Sequence, residues 1–279
     1  MKITNKFFNY IKAKGSSTFN PFYNEMDMIE NIYPSNIESL LHSDMLCLIT
    51  PGRSGTKTLI DYINDNTNAY AVHKPKVTNQ IVANLFHKNL ITKESAFWSY
   101  LSSRESYLVK AYSNKTLFVD GDCKYLPIVP VISEMCPNSK FIHLVRDPKS
   151  FIISGLNRGY FKSKPSDFFG YLDNEKATTQ IEKIASFWNE ANIIAESLKS
   201  ELGKKRVLTM KSEDMFNNSL LIVDSFKSFG FDYCLNDNLE NSQMSVNNAN
   251  KNITSNFDLD DIDKAIIKFC ETRSIYGYR

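Results

Sequence analysis

Residues 51 to 58 read Pro-Gly-Arg-Ser-Gly-Thr-Lys-Thr, a small, hydroxylated and basic run that follows the apolar residues Met45-Leu46-Cys47-Leu48-Ile49. Such a set can hold an anion. Gly52 and Gly55 reach backbone angles closed to other residues, so successive N–H groups can turn toward one charged group. Arg53, Ser54, Thr56, Lys57 and Thr58 add charged and neutral donors suited to phosphate or sulfate oxygens. Leu59 and Ile60 open an apolar-periodic stretch, and a helix starting there would aim the positive end of its dipole at the same point.

A second group lies far along the chain: Arg146, ending the apolar run Phe141-Ile142-His143-Leu144-Val145, and Ser154, eight residues on. A guanidinium that binds bidentately, joined by a hydroxyl, suits a phosphate monoester.

The loop approaches the ATP-binding pattern G-x-x-x-x-G-K-[ST] without meeting it. Thr56 stands where a Gly should precede Lys57, and Pro51 where the first Gly should be. An ATP- and Mg²⁺-dependent kinase would also want an Asp at the end of an apolar strand. Asp120 fits that part, but Arg146 and Ser154 would then have no task. His143, inside an apolar run, reads as structural, Trp188 as core, and Lys211-Ser212-Glu213-Asp214 as a salt-bridged helix-capping turn.

These residues need a scaffold of alternating elements. Strands are predicted at 45–49, 69–72, 117–119, 141–145 and 206–210. Helices are predicted from Thr58 to Asp65, in pieces over 76–112, over 126–135, from Pro148, over 181–198 with a stop near Gly203, over 219–229 with a stop at Gly230, and from Leu259 to about Thr272. Short strands alternating with helices imply an α/β fold, a parallel sheet of about five strands with helices on both faces, whose ligands bind at the carboxyl ends of the strands. Residues 1–40 read as an N-terminal extension packed on a core domain of residues 41–279.

With 279 residues, 42% of them apolar, the chain can bury a full core. The net charge of +2 argues against a nucleic-acid partner. No stretch approaches the ~20 apolar residues of a membrane helix, and the first residues lack the apolar core of a signal peptide, so a cytoplasmic, soluble protein is expected. Five scattered cysteines with no Cys-x-x-Cys spacing suggest reduced thiols, and no metal site is expected.

The stretch Pro51 to Leu59 resembles the 5′-phosphosulfate loop of sulfotransferases, P-x-[RK]-S-G-T-T-x-L, matching over Arg53 to Thr56 and departing at Lys57. Arg146-Asp147-Pro148 with Ser154 is similar to the family's R-D-P strand end and its serine eight residues on. Softer similarities are Pro137 to Phe141, Phe187-Trp188, Asn192, Lys211 to Asp214 and Tyr276-Gly277-Tyr278. The resemblance implies a P-loop-like sheet and a PAPS-dependent enzyme (3′-phosphoadenosine 5′-phosphosulfate, leaving PAP). It implies that Gly52, Arg53, Ser54, Gly55, Thr56, Lys57 and Thr58 hold the phosphosulfate, and that Arg146 and Ser154 hold the 3′-phosphate. Lys251, in the Asn-rich stretch 236–252, would touch the same phosphate if that loop closes. Arg53 or Lys57 would stabilise the leaving group. His73 or Asp122 would be the base, with Lys74 standing where relatives with His-Glu-Pro carry Glu and Gly121 where relatives carry Lys. The acceptor would be a hydroxylated small molecule or a glycan, met by residues 74–112 and 157–176, including Tyr100, Tyr107, Tyr112, Arg158, Tyr160, Phe161 and Lys162. A module that binds PAP or PAPS without turnover is the non-catalytic alternative.

Overall fold

A computed structural model describes residues 40–162, 175–236 and 257–279. The chain separates into Met1–Leu40 and Leu41–Arg279, and everything below concerns the second unit. The expected packing of residues 1–40, most of 157–176 and nearly all of the Asn-rich stretch, Lys251 included, lie outside the described residues.

Five apolar residues, Met45–Ile49 (β1), are all buried, as a strand covered on both faces must be. β1 pairs with Phe118–Asp120 (β3) on one side and Lys140–Val145 (β4) on the other. Tyr70–Val72 (β2) extends the sheet beyond β3, and Val207–Lys211 (β5) beyond β4. Every pairing is parallel, in the order β2-β3-β1-β4-β5.

The period of two along each strand decides which helix covers which face. Leu46, Leu48, Ile142 and Leu144 pack in one cluster with Leu59, Ile60 and Ile63 of helix α1 (Thr56–Asn66). Further helices complete the described set: α2 (Gln80–His87), α3 (Lys93–Ser113), α4 (Val129–Met135), α5 (Pro148–Asn157), α6 (Gln180–Leu202), α7 (Ser212–Asn217), α8 (Leu220–Phe229) and α9 (Leu259–Phe269). Ile222 and Phe226 of α8 join the α1 face. Cys47 and Asp120 meet Tyr100 of α3 on the other face, where His143 also meets Asn192 of α6. The protein is thus a five-stranded parallel sheet flanked by helices.

Local signals set the helix boundaries. Pro148 occupies the first turn of α5 while the Asp147 carboxylate caps it by accepting from the Ser150 N–H at 2.7 Å. Thr179 and Glu182 form a reciprocal capping box on α6. Helix α1 starts at Thr56, two residues before the expected Thr58. The last helix stops at Phe269, and Glu271–Tyr276 continue as a 3-10 turn. Lys211-Ser212-Glu213-Asp214, expected as a turn, is the junction of β5 with α7.

One acceptor-side expectation fails at Tyr100, which is buried behind the sheet. Helical periodicity puts it in line with Arg104 and Leu108, on the face of α3 that packs against β3 and β1. Among the described residues no helix is long and apolar enough to cross a membrane.

Candidate functional site

The strand order reverses its direction of growth at β1, so the connections on either side part and leave a crevice at the carboxyl ends. From β1 issues the loop 51–58. Gly52, Arg53 and Gly55 all carry left-handed backbone angles, with φ of 80°, 55° and 87°. Such turns aim peptide N–H groups into one concavity, and at Arg53 they carry a steric cost that a functional conformation explains. At Gly55 a Cβ would lie 2.6 Å from Cζ of Phe216, so that ring would have to shift, and the φ of 87° strains any other residue.

The loop is braced from within and from behind. Gly52 N–H donates to Thr50 Oγ1 at 3.2 Å, and Ser54 Oγ donates back to Gly52 O at 3.1 Å. The Ser212 hydroxyl bridges Ser54 O at 2.7 Å and Val145 O at 3.0 Å, tying the loop to the end of β4. The sequence offers Ser212 only as part of the Lys211–Asp214 turn after β5, and this brace between the loop and β4 is a contact the segment alone does not show.

Helix α1 has no side-chain cap on its first turn. Thr56, at its first position, is 5% exposed, and its Oγ1 has no hydrogen-bond partner. A buried hydroxyl left unmatched at an uncapped helix N-terminus is able to donate to an anion. Lys57 points elsewhere: its ammonium is exposed and paired with Asp61 one turn along the helix.

Arg146 and Ser154 both come to the loop, and both meet Arg53. Arg146 Nη1 donates to the Arg53 carbonyl at 2.7 Å, and Arg53 Nε donates to Ser154 Oγ at 3.0 Å. Burial lowers the affinity of Arg146 for its proton, while the nearby carboxylate of Glu213 raises it. Trp188 Nε1 donates to the Arg146 carbonyl at 2.9 Å, which fixes the backbone from the α6 side.

His73 directly follows β2, beside the turn after β3, where Gly121 N–H donates to Val72 O at 2.9 Å. Burial drives its pKa down to about 4; the charges of Lys74 and Lys57 act in the same direction and Asp61 opposes them. The imidazole is therefore neutral throughout the physiological range.

Asp122 has different surroundings. It is buried, with Oδ2 accepting from Arg104 Nη2 at 2.8 Å and Oδ1 from the Lys124 N–H at 3.0 Å. Asp120 is equally engaged. Its Oδ2 accepts from Arg104 Nε at 2.6 Å and Tyr100 Oη at 3.1 Å, its Oδ1 from the Asp122 N–H at 2.9 Å. Burial, then the neighbouring Asp120 charge, raises the Asp122 pKa, and Arg104 works against both. Arg104, fully buried on α3, gave no signal in the sequence beyond a charged residue on an apolar helical face.

His143 Nε2 donates to Asn192 Oδ1 at 2.8 Å, and burial holds its pKa down to about 4. Cys123 Sγ and Tyr160 Oη stand 3.4 and 3.5 Å from where a Cβ on Gly52 would be, so both line the loop. Tyr107, expected at the acceptor side, stacks on Phe118 and accepts the Lys76 N–H at 3.2 Å. Among the described residues no group of His, Cys, Asp and Glu could hold a metal ion.

No curated protein matches this chain. The solved structures to which the chain is similar include three sulfotransferases. The sulfotransferase from Alicyclobacillus acidocaldarius is 12% identical with a TM-score of 0.47, covering 85% of this chain and 97% of its own. The sulfotransferase domain from the curacin biosynthetic pathway is 15% identical with a TM-score of 0.44, covering 67% and 73%. The sulfotransferase domain of a Synechococcus olefin synthase is 16% identical with a TM-score of 0.45, covering 83% and 94%. The model of the sulfotransferase family matches residues 49–224, more than half of the chain and inclusive of the loop, His73, Arg146 and Ser154, so this chain belongs to the sulfotransferase family.

Proposed function

We propose that this sulfotransferase takes its sulfuryl group from PAPS and passes it to a hydroxyl on a small metabolite or glycan, or to an amine. The observation that carries the reading is the convergence of Arg146 and Ser154 on Arg53, which puts a guanidinium and a hydroxyl beside the anion loop. A nucleotide with a second phosphate, on its ribose, would use both; ATP would use neither. The unmatched Thr56 hydroxyl and the uncapped start of α1 fit the 5′-phosphosulfate.

Bound there, the donor supplies an activated S–O bond whose bridging oxygen takes up charge as it breaks. Arg53 lies in the loop to stabilise that charge, and Lys57 reaches it by leaving Asp61. His73, kept neutral by burial, takes the acceptor proton as the hydroxyl oxygen attacks sulfur in line with the leaving phosphate. Asp122 is assigned a supporting part, since Arg104 and the Lys124 amide occupy its two oxygens.

The test is a thermal-shift titration followed by turnover of labelled PAPS against an acceptor panel. PAP raising Tm while ATP-Mg²⁺ does not supports the donor assignment. The reverse pattern establishes the kinase alternative, and PAP binding without turnover on any acceptor establishes the non-catalytic one.

A further inference from the structure

Tyr276-Gly277-Tyr278 lies outside the loop, far along the chain from Arg146, yet it reaches the strand end that carries this arginine by two routes. Tyr278 Oη donates to Glu213 Oε2 at 2.9 Å, and Glu213 Oε1 accepts the Asp147 N–H at 3.0 Å. The same carboxylate is the foremost charge acting on Arg146. On the other side Tyr276 packs edge-on against Trp188 at 6.2 Å, and Trp188 Nε1 holds the Arg146 carbonyl. Tyr276 also packs edge-on against His143 of β4 at 5.6 Å. Lys211 Nζ lies 4.9 Å from the Tyr278 ring centroid, which holds the ring from β5.

We propose that Tyr278 is a positioning residue for the donor's 3′-phosphate, acting through Glu213 and the Asp147 amide to fix the Arg146 guanidinium against the loop. This rests on the PAPS reading of the site. A carboxylate shared between a tyrosine hydroxyl and a peptide N–H has one orientation, and that orientation sets both the path of residues 146–147 and the charge facing the guanidinium. Freed from Tyr278, Glu213 can swing onto Arg146 and compete with the phosphate for it.

The measurement is binding of PAP and of adenosine 5′-phosphate, which lacks the 3′-phosphate, to the full chain. Tyr278→Phe removes one hydroxyl from a part-exposed ring. It should weaken PAP by about tenfold while leaving adenosine 5′-phosphate unchanged, because the hydrogen bond it deletes is to a charged group. Glu213→Ala should weaken PAP as well, and the double variant should bind PAP no more weakly than Glu213→Ala alone, since both act along one route. Equal weakening of the two nucleotides by Tyr278→Phe, additive losses in the double variant, or no effect on PAP overturns the proposal. A wild-type protein that binds both nucleotides equally overturns the PAPS reading and the positioning role with it, a pattern distinct from the others. Should Glu213→Ala fail to fold, the nucleotide ratio of Tyr278→Phe decides alone.

Discussion

Arg53 Nε donates to Ser154 Oγ at 3.0 Å, a bond that spans 101 residues of sequence and joins the loop after β1 to the helix after β4. It aligns the two halves of the site before any ligand arrives. Ser154→Ala should cost about 1 kcal/mol of stability, the usual worth of one such bond. It should weaken PAP more than adenosine 5′-phosphate. Denaturant titration reads the first effect and calorimetry the second; equal losses for both nucleotides would detach Ser154 from the 3′-phosphate.

Thr56 offers a test in which stability and binding part company. Its buried hydroxyl lacks a partner, so Thr56→Val, which keeps the shape and removes an unmatched polar atom, should leave the ligand-free Tm level or higher. The Tm rise on adding PAP should shrink. A lower ligand-free Tm with an undiminished PAP response would remove Thr56 from the anion site.

His73 sets the expected pH dependence. Its folded pKa is about 4, below the ordinary 6.5, so the base is available above about pH 4 and kcat/KM should stay flat from pH 5 to 7. Lys74 helps hold that value down. Lys74→Gln should therefore move the acid limb upward, toward neutral pH, while His73→Ala abolishes turnover and leaves PAP binding intact. Stability carries the same sign: a group that resists protonation when folded loses stability for the protein as pH falls from 6.5 toward 4. His143 adds to that trend.

Arg104 with Asp120 and Asp122 is a buried charge cluster whose members need one another. Removing Arg104 leaves two buried carboxylates without their cation, at a cost of about 3–5 kcal/mol, whereas removing the Asp122 charge leaves Arg104 paired with Asp120 and costs less. Arg104→Met should lower the denaturation midpoint strongly and Asp122→Asn by less. The residual activity of Asp122→Asn should follow its folded fraction. Full stability with turnover abolished would make Asp122 the base and displace His73.

The strands, the loop and the eight-residue step from Arg146 to Ser154 were legible because each is a local pattern: an apolar run, a cluster of small donors, a spacing along one helix. The reading of Asp122 shows where local patterns stop. A carboxylate in a turn looks available until Arg104, on a helix two elements earlier, is seen to donate to one of its oxygens while the Lys124 amide takes the other. Tyr100 went the same way, an aromatic that periodicity alone could not assign to the inner or outer face of α3. The pairing order of the strands, and the reach of Ser212 to the Ser54 carbonyl, depend on contacts between distant segments that no window of sequence contains.

Strand β1 divides the carboxyl ends into two banks. His73 and Asp122 hang from β2 and β3 on one bank; Arg146, Ser154 and Ser212 hang from β4, α5 and β5 on the other. The loop 51–58 is the bridge between them. The first bank can therefore drift in evolution toward a new acceptor without disturbing the residues assigned to the donor. A chimera that exchanges residues 73–113 with those of another family member should keep its grip on nucleotide, provided position 104 remains an arginine to answer Asp120 and Asp122.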